Sequence, residues 1–372
     1  MSKIYKTNFS RGCFHHWSAS KAIAEYISNW LDSEGEQEHY FGDDYISLTN
    51  KNIEVSTSIL MMGLSDKRSD DSKRGQFGLG AVQGLVVLTD LGCSVEIINN
   101  KVKWESSYEF CENFEEDILV IKEEPLTPTG NFTVIISGLS EDILDEVKQR
   151  CLEFQDREVL FSTKYGDVIA HGEDNGEIFC GDMYVCENNS FKYSYNFAPK
   201  VLPLNQDRNS ASQWEISRLT AKIWKQCPDK ELLVEAIKSK KADCEYVMDS
   251  WYTSDSSTLS VSEEFGEEFI EKYDNHIVTS NFTEYEELTK CGNKVKYLDN
   301  SNQVKAIKES VAYNDMVASM EIIEVESTRT KVEIITQAFQ QLVNDHDHEE
   351  IVYEGFTMQE HIDTLYEIIY EL

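Results

Sequence analysis

Basic residues are scarce in this sequence: 34 Lys and Arg stand against 68 Asp and Glu in 372 positions, a formal charge of −34. That balance excludes unaided wrapping of nucleic acid, because phosphate contacts need a cationic surface. Direct DNA binding is therefore not expected. No apolar run approaches the ~20 residues that a membrane helix needs, so no membrane partner is expected. Met1 to Tyr5 lacks the apolar segment of a secretion signal. Nine cysteines are present without a CxxC pair, which removes a disulfide framework and a zinc ribbon. A reduced, cytoplasmic setting is the simplest reading. Internal repeats and low-complexity linkers are also missing, and the Ser/Thr-rich stretch Ser254 to Ser262 is the best hinge candidate.

What is present is enough for proper cores. The hydrophobic fraction is 41%, and the length suits two or three domains. The acidity is uneven: ten acids follow Lys331 with no further Lys or Arg. Such a surface either solvates the protein or docks a basic partner, in the limit by imitating nucleic acid.

Lys21 to Ser33 has helical periodicity, with Ala22, Ile23, Tyr26, Ile27, Trp30 and Leu31 as the buried stripe. Ser18 or Ser20 can cap it. Glu25, Asn29 and Asp32 share a second stripe beside the first, which serves either as a polar edge or as a seat for a water and a metal. Tyr45 to Thr49 alternates like a strand, with a turn signal at Asn50-Lys51-Asn52. Ser56 to Met62 reads as a short apolar helix ending at Gly63. A polar stretch, Leu64 to Arg74, then carries Lys67, Arg68, Lys73 and Arg74 into the run Gly75-Gln76-Phe77-Gly78-Leu79-Gly80. Glycines at this spacing bury nothing; they let backbone N–H groups approach an anion, and the apolar helix Ala81 to Leu88 follows directly. Ser94–Asn99, Val102–Phe110, Ile118–Lys122 and Phe132–Ser137 read as consecutive strands, and Ser140 to about Phe154 as a helix. Helices followed by antiparallel strands predict an α+β fold, a two-layer α/β sandwich.

Three motifs in this order resemble the GHKL superfamily, the ATPases of gyrase B, MutL, histidine kinases and the large heat-shock chaperones. Glu25 to Asp32 is similar to their N-box, Gly75 to Gly80 to the GQFGxG box of the chaperone branch, and Leu202 to Arg208 to that branch's LPLNxxR segment. The resemblance covers roughly the first 220 residues and implies a Bergerat nucleotide-binding fold from about Phe14 to Phe154. It implies ATP and Mg²⁺ as ligands. Glu25 would be the general base, Asn29 the Mg²⁺ ligand, and Asp32 a support of the N-box. Gly75, Gln76, Phe77, Gly78 and Gly80 would wrap the phosphates as a lid closes. Lys67 would lie on the phosphate side, and Arg208 would reach the terminal phosphate from the next domain. The family's adenine box, DxGxG, is replaced by Asn50-Lys51-Asn52-Ile53-Glu54, leaving Asn50 as a neutral acceptor for the base. The family's GT pair reads Gly130-Asn131, with Thr133 as the substitute beside Asn131.

Glu177 to Phe197 reads as two or more β segments, and Ser212 to Gln226 as a helix, which suits a transducer-like domain. Cys180 and Cys186 read as small core residues. Past Ser262 the resemblance fades into a small αβαβ module: a helix ending at Tyr273, strand His276–Thr279, helix Phe282–Lys290 and strand Lys294–Leu298. Two terminal helices, marked by Ile334 to Leu342 and Met358 to Ile369, flank the polar run Asp345 to Glu350, read as a solvated turn with His361 beyond it. The expected domains are 1–157, 158–258 and 259–372.

Two functions follow. One is a Mg²⁺-dependent ATP-binding protein with slow hydrolysis, clamping as a homodimer on a protein client. The other is a catalytically weak or inactive GHKL scaffold whose acidic surface binds and inhibits a basic or nucleic-acid-binding partner. No phospho-acceptor His helix precedes the nucleotide domain, which disfavours a histidine kinase, and nothing basic is available to hold DNA for a topoisomerase.

Overall fold

A computed structural model describes residues 2–60, 80–170, 176–205, 210–249, 259–320 and 322. The chain divides into two compact units, Met1–Thr258 and Leu259–Leu372. Its fold class is α+β.

The first unit begins with β1 (Lys3–Ser10), α1 (Ala19–Leu31), β2 (Glu36–Phe41), β3 (Tyr45–Lys51) and α2 (Gly80–Asp90). It continues through β4 (Ser94–Asn99), β5 (Val102–Cys111), β6 (Glu116–Pro125), β7 (Asn131–Ser137) and α3 (Glu141–Gln149). The strands form one sheet in the order β1-β6-β5-β4-β7-β3-β2, antiparallel at every pairing. Strand alternation builds one buried face: Ile46, Leu48 and Asn50 of β3 share it with Phe132, Val134 and Ile136 of β7. The apolar stripes of α1, α2 and α3 cover that face and close the core.

Ser18, not Ser20, caps α1; its Oγ accepts from the Lys21 amide at 3.2 Å. The helix therefore starts two residues earlier than its apolar pattern indicates. The expected helix to Phe154 stops at Gln149, and a 3-10 turn covers Leu152–Phe154. The side-chain amide of Gln155 donates to the carbonyls of Lys148, Gln149 and Cys151, satisfying groups that the helix end leaves open.

The second sheet holds β8 (Val159–Thr163), β9 (Gly166–Ile169), β10 (Glu177–Cys180), β11 (Met183–Glu187) and β12 (Ser194–Phe197). Their order is β11-β10-β12-β9-β8, with β10 and β12 parallel and the other pairs antiparallel. Helices α4 (Gln213–Trp224) and α5 (Lys230–Lys238) follow. Gly166 adopts φ +142°, and a Cβ there would lie 2.2 Å from the Asn196 carbonyl oxygen, so glycine is required at this crossing. Backbone bonds from Leu152 to Asp182 and from Tyr184 to Arg150, both 2.9 Å, tie the end of α3 to β11. Cys180 is buried in the core, and its thiol donates to the Ala198 carbonyl at 3.6 Å.

Asp243 clips this part together. Its buried carboxylate accepts from the amides of Lys192 (2.9 Å) and Tyr193 (3.1 Å) and from the Tyr195 hydroxyl (2.8 Å). Trp224 Nε1 in turn donates to the Tyr195 oxygen at 2.9 Å. Burial pushes the Asp243 carboxyl above its ordinary range, and these bonds oppose that shift. An acid raised on folding contributes most below its unfolded pKa and loses that contribution as pH rises through the folded value. Asp243→Asn keeps one acceptor and turns an N–H₂ toward donors. We expect a loss of about 2 kcal/mol by urea unfolding at neutral pH. Stability should also fall more steeply on acidification than in the wild type.

The second unit runs α6 (Leu259–Lys272), β13 (Ile277–Thr279), α7 (Phe282–Lys290), β14 (Val295–Tyr297), α8 (Ser301–Glu309) and α9 (Val311–Ser319). β13 and β14 pair in parallel across α7, a small βαβ unit close to the expected module. Asn281, Asn300 and Ser310 cap the last three helices. Glu263 of α6 accepts from the amides of Val311 (2.7 Å) and Ala312 (3.4 Å), and the Val311 bond leads in holding its carboxyl below the usual range. The expected terminal helices and the run Asp345 to Glu350, with His361, lie outside the described residues. Among the described residues no helix is long and apolar enough to cross a membrane.

Candidate functional site

The site is built where α1 and α2 touch backbone to backbone. Glu25 and Asn29 lie one turn apart on α1, both half-buried. Gly80, the first described residue of α2, packs directly on Glu25: a Cβ there would sit 2.0 Å from Glu25 Oε2 and 2.7 Å from its carboxyl carbon. One turn on, a Cβ at Gly84 would meet Tyr26 Cε2 at 2.9 Å and the Ala22 carbonyl oxygen at 3.0 Å. The Tyr26 hydroxyl donates to the Ala81 carbonyl at 2.8 Å and locks the first turn of α2 in place. Burial raises the Tyr26 pKa far above the ordinary phenol value, so it acts as a neutral donor.

Asn50 approaches from β3. Its side chain is 1% exposed, and its Nδ2 donates to the Trp30 carbonyl at 3.0 Å. That bond fixes the amide's orientation, and no described residue donates to the Asn50 oxygen. Asn29 and Asn50 are the two amides lining a cavity of about 20 Å³, otherwise walled by apolar side chains including Leu48, Phe132 and Val134. It has room for about one water.

The structure thus sets Gly80 against Glu25, and Asn29 and Asn50 on one cavity beside the start of α2. It does not bring Asn131 and Thr133 to them. Thr133 pairs with Thr49 in register, and their hydroxyls meet at 3.0 Å on the sheet face opposite Asn50. Asn131 Oδ1 receives the Asn52 amide at 3.4 Å. The family's GT position points to these two residues; the pleat gives the inward positions to Phe132 and Val134. Asp32 is 5% exposed at the end of α1. Lys67, Gly75, Gln76, Phe77, Gly78 and Arg208 lie outside the described residues. On either side of Arg208, Leu204 bridges Ala211, and Asn205 accepts from the Ser210 amide.

Three contributors were missed in the sequence. Gly84 carries the helix contact, and its signal was a second glycine one turn after Gly80 inside an apolar helix. Tyr26 belongs to the buried stripe by spacing, and nothing in the sequence marks the role of its hydroxyl. Asn99 holds the chain after β3 by a pair of hydrogen bonds, accepting from the Val55 amide (2.9 Å) and donating to its carbonyl (2.8 Å). Among the described residues no group of three or more His, Cys, Asp or Glu could hold a metal unaided.

Fold and candidate site together describe an α+β protein with a carboxylate at a close helix–helix crossing and two amides on a cavity beside it. Residues 142–230 match the family described as the Mycoplasma pneumoniae MPN635 N-terminal domain. The matched segment runs from the start of α3 through the second sheet and α4 to the start of α5, so Glu25, Asn29, Asn50 and Gly80 fall outside it. No curated protein matches the chain.

Proposed function

We propose that the chain is a GHKL-type ATPase: a Mg²⁺-dependent ATP-binding protein whose slow hydrolysis rearranges it on a protein client, with a homodimer as the working form. The observation that carries this reading is the contact between Glu25 and Gly80. Two motifs far apart in sequence meet there, as a base and a phosphate-wrapping loop must. In this role Glu25 orients and deprotonates the attacking water. Asn50 offers its oxygen to the base.

The donor set fits Mg²⁺, which keeps several waters and needs few protein ligands when phosphates supply oxygens. Asn29 would hold it, and the ion would neutralise charge on the phosphates. Arg208 would serve the terminal phosphate.

A scaffold without catalysis is the second reading, favoured by the neutral Asn50 and the one-water size of the cavity beside it. Calorimetric titration of ATP with and without Mg²⁺ separates the two. The ATPase reading expects Mg²⁺-dependent binding that Asn29→Ala weakens by about tenfold, the value of one lost polar contact. No detectable binding by the wild type sinks it and leaves the scaffold.

A further inference from the structure

We propose that the tip of the β5–β6 hairpin is a docking surface for a partner protein segment in which apolar side chains alternate with Lys or Arg. Phe110 and Phe114 are 65% and 63% exposed, the most exposed phenylalanines among the described residues. They stand four residues apart in sequence at the end of one hairpin.

Carboxylates frame it: Glu109, Glu112, Glu115, Glu116 and Asp117. Two of these are already paired, Glu109 with Lys122 at 3.0 Å and Asp117 with Arg11 at 3.3 Å, and Arg11 also meets Asp90 at 3.7 Å. Glu112, Glu115 and Glu116 meet no cation among the described residues. The tip is also anchored: Cys111, Ile118 and Val120 form a small buried cluster beneath it. Phe114 walls an open groove of about 1000 Å³ with Tyr5, Phe9, Leu60, Ile118 and Ile121. Aromatic anchors with a charged rim are the anatomy of a specific interface.

Charge selects the occupant. A second copy of this chain brings another −34 charges, and nucleic acid is repelled in the same way. A cationic amphipathic segment is drawn to the carboxylates and seats its apolar side chains on the rings. This inference does not depend on ATP chemistry.

The test is fluorescence anisotropy of a labelled peptide in which Leu and Lys alternate, against the full chain at physiological salt. Phe110→Ser with Phe114→Ser keeps the net charge and should lose about tenfold in affinity or more. Glu112→Gln, Glu115→Gln and Glu116→Gln together should weaken binding comparably, and a peptide with Glu in place of Lys should not bind. An unchanged urea midpoint confirms that the variants fold. Equal affinity of the Phe variant and the wild type overturns the proposal, because the attraction is then diffuse. Sedimentation showing a dimer that the Phe variant abolishes overturns it in favour of self-association.

Discussion

Glu25→Gln is expected to reduce ATP turnover by about 10²- to 10⁴-fold, the usual contribution of a positioned general base, while ATP binding stays within about twofold. The substitution is chosen for geometry. Glu25 packs against Gly80 without room for a Cβ between them, so a shorter side chain would open the helix crossing and confuse chemistry with packing. Gln retains the size and a carbonyl oxygen but cannot take a proton at neutral pH. Binding and turnover are measured on the same preparation, by calorimetry and phosphate release. Turnover equal to wild type would remove Glu25 as the base; loss of binding together with turnover would make it a binding residue instead.

Much of the fold was legible because burial imposes a period. β4 falls on Ser94–Asn99 as read, since Val95 and Ile97 alternate with half-exposed neighbours. β1 and β2 were not read. Lys3–Ser10 and Glu36–Phe41 are edge strands with mixed or exposed burial, and a strand that buries little leaves no alternation to find. β8 and β9 escaped for a related reason: each is short, and Gly166 opens β9. Of the candidate site, the sequence places Glu25 and Asn29 on one helix stripe, and the helix keeps them one turn apart; positions that depend on the pleat are not legible in the same way. Asn131 and Thr133 stand at and beside the family's GT position, but a one-residue offset on a strand exchanges the faces, and β7 turns Phe132 and Val134 inward instead. Asn99 was invisible because its partner is the backbone of Val55, a contact with no sequence signature.

The second large effect separates two glycines that look alike in the sequence. Gly80→Ala places a Cβ against the end of the Glu25 side chain, which can swing aside. The fold should survive, with stability within about 1 kcal/mol of wild type given the better helix propensity of alanine. The displaced carboxylate, however, no longer sits where the proposed reaction needs it. Turnover is expected to fall by about 10²-fold, since small misplacements of a catalytic group carry such costs. Gly84→Val meets the Tyr26 ring and the Ala22 carbonyl oxygen. Both belong to the buried face of α1, so α2 must retreat as a body and strain the Tyr26–Ala81 bond. A loss of about 3 kcal/mol is expected, at the upper end for overpacking a tight contact, read as a lower urea midpoint. The pair divides the crossing into two jobs: Gly84 seats α2 on α1, and Gly80 leaves the space in which Glu25 is held. If Gly84→Val kept its midpoint, the two helices would not be in backbone contact. If Gly80→Ala kept its turnover, the contact with Glu25 would be packing alone.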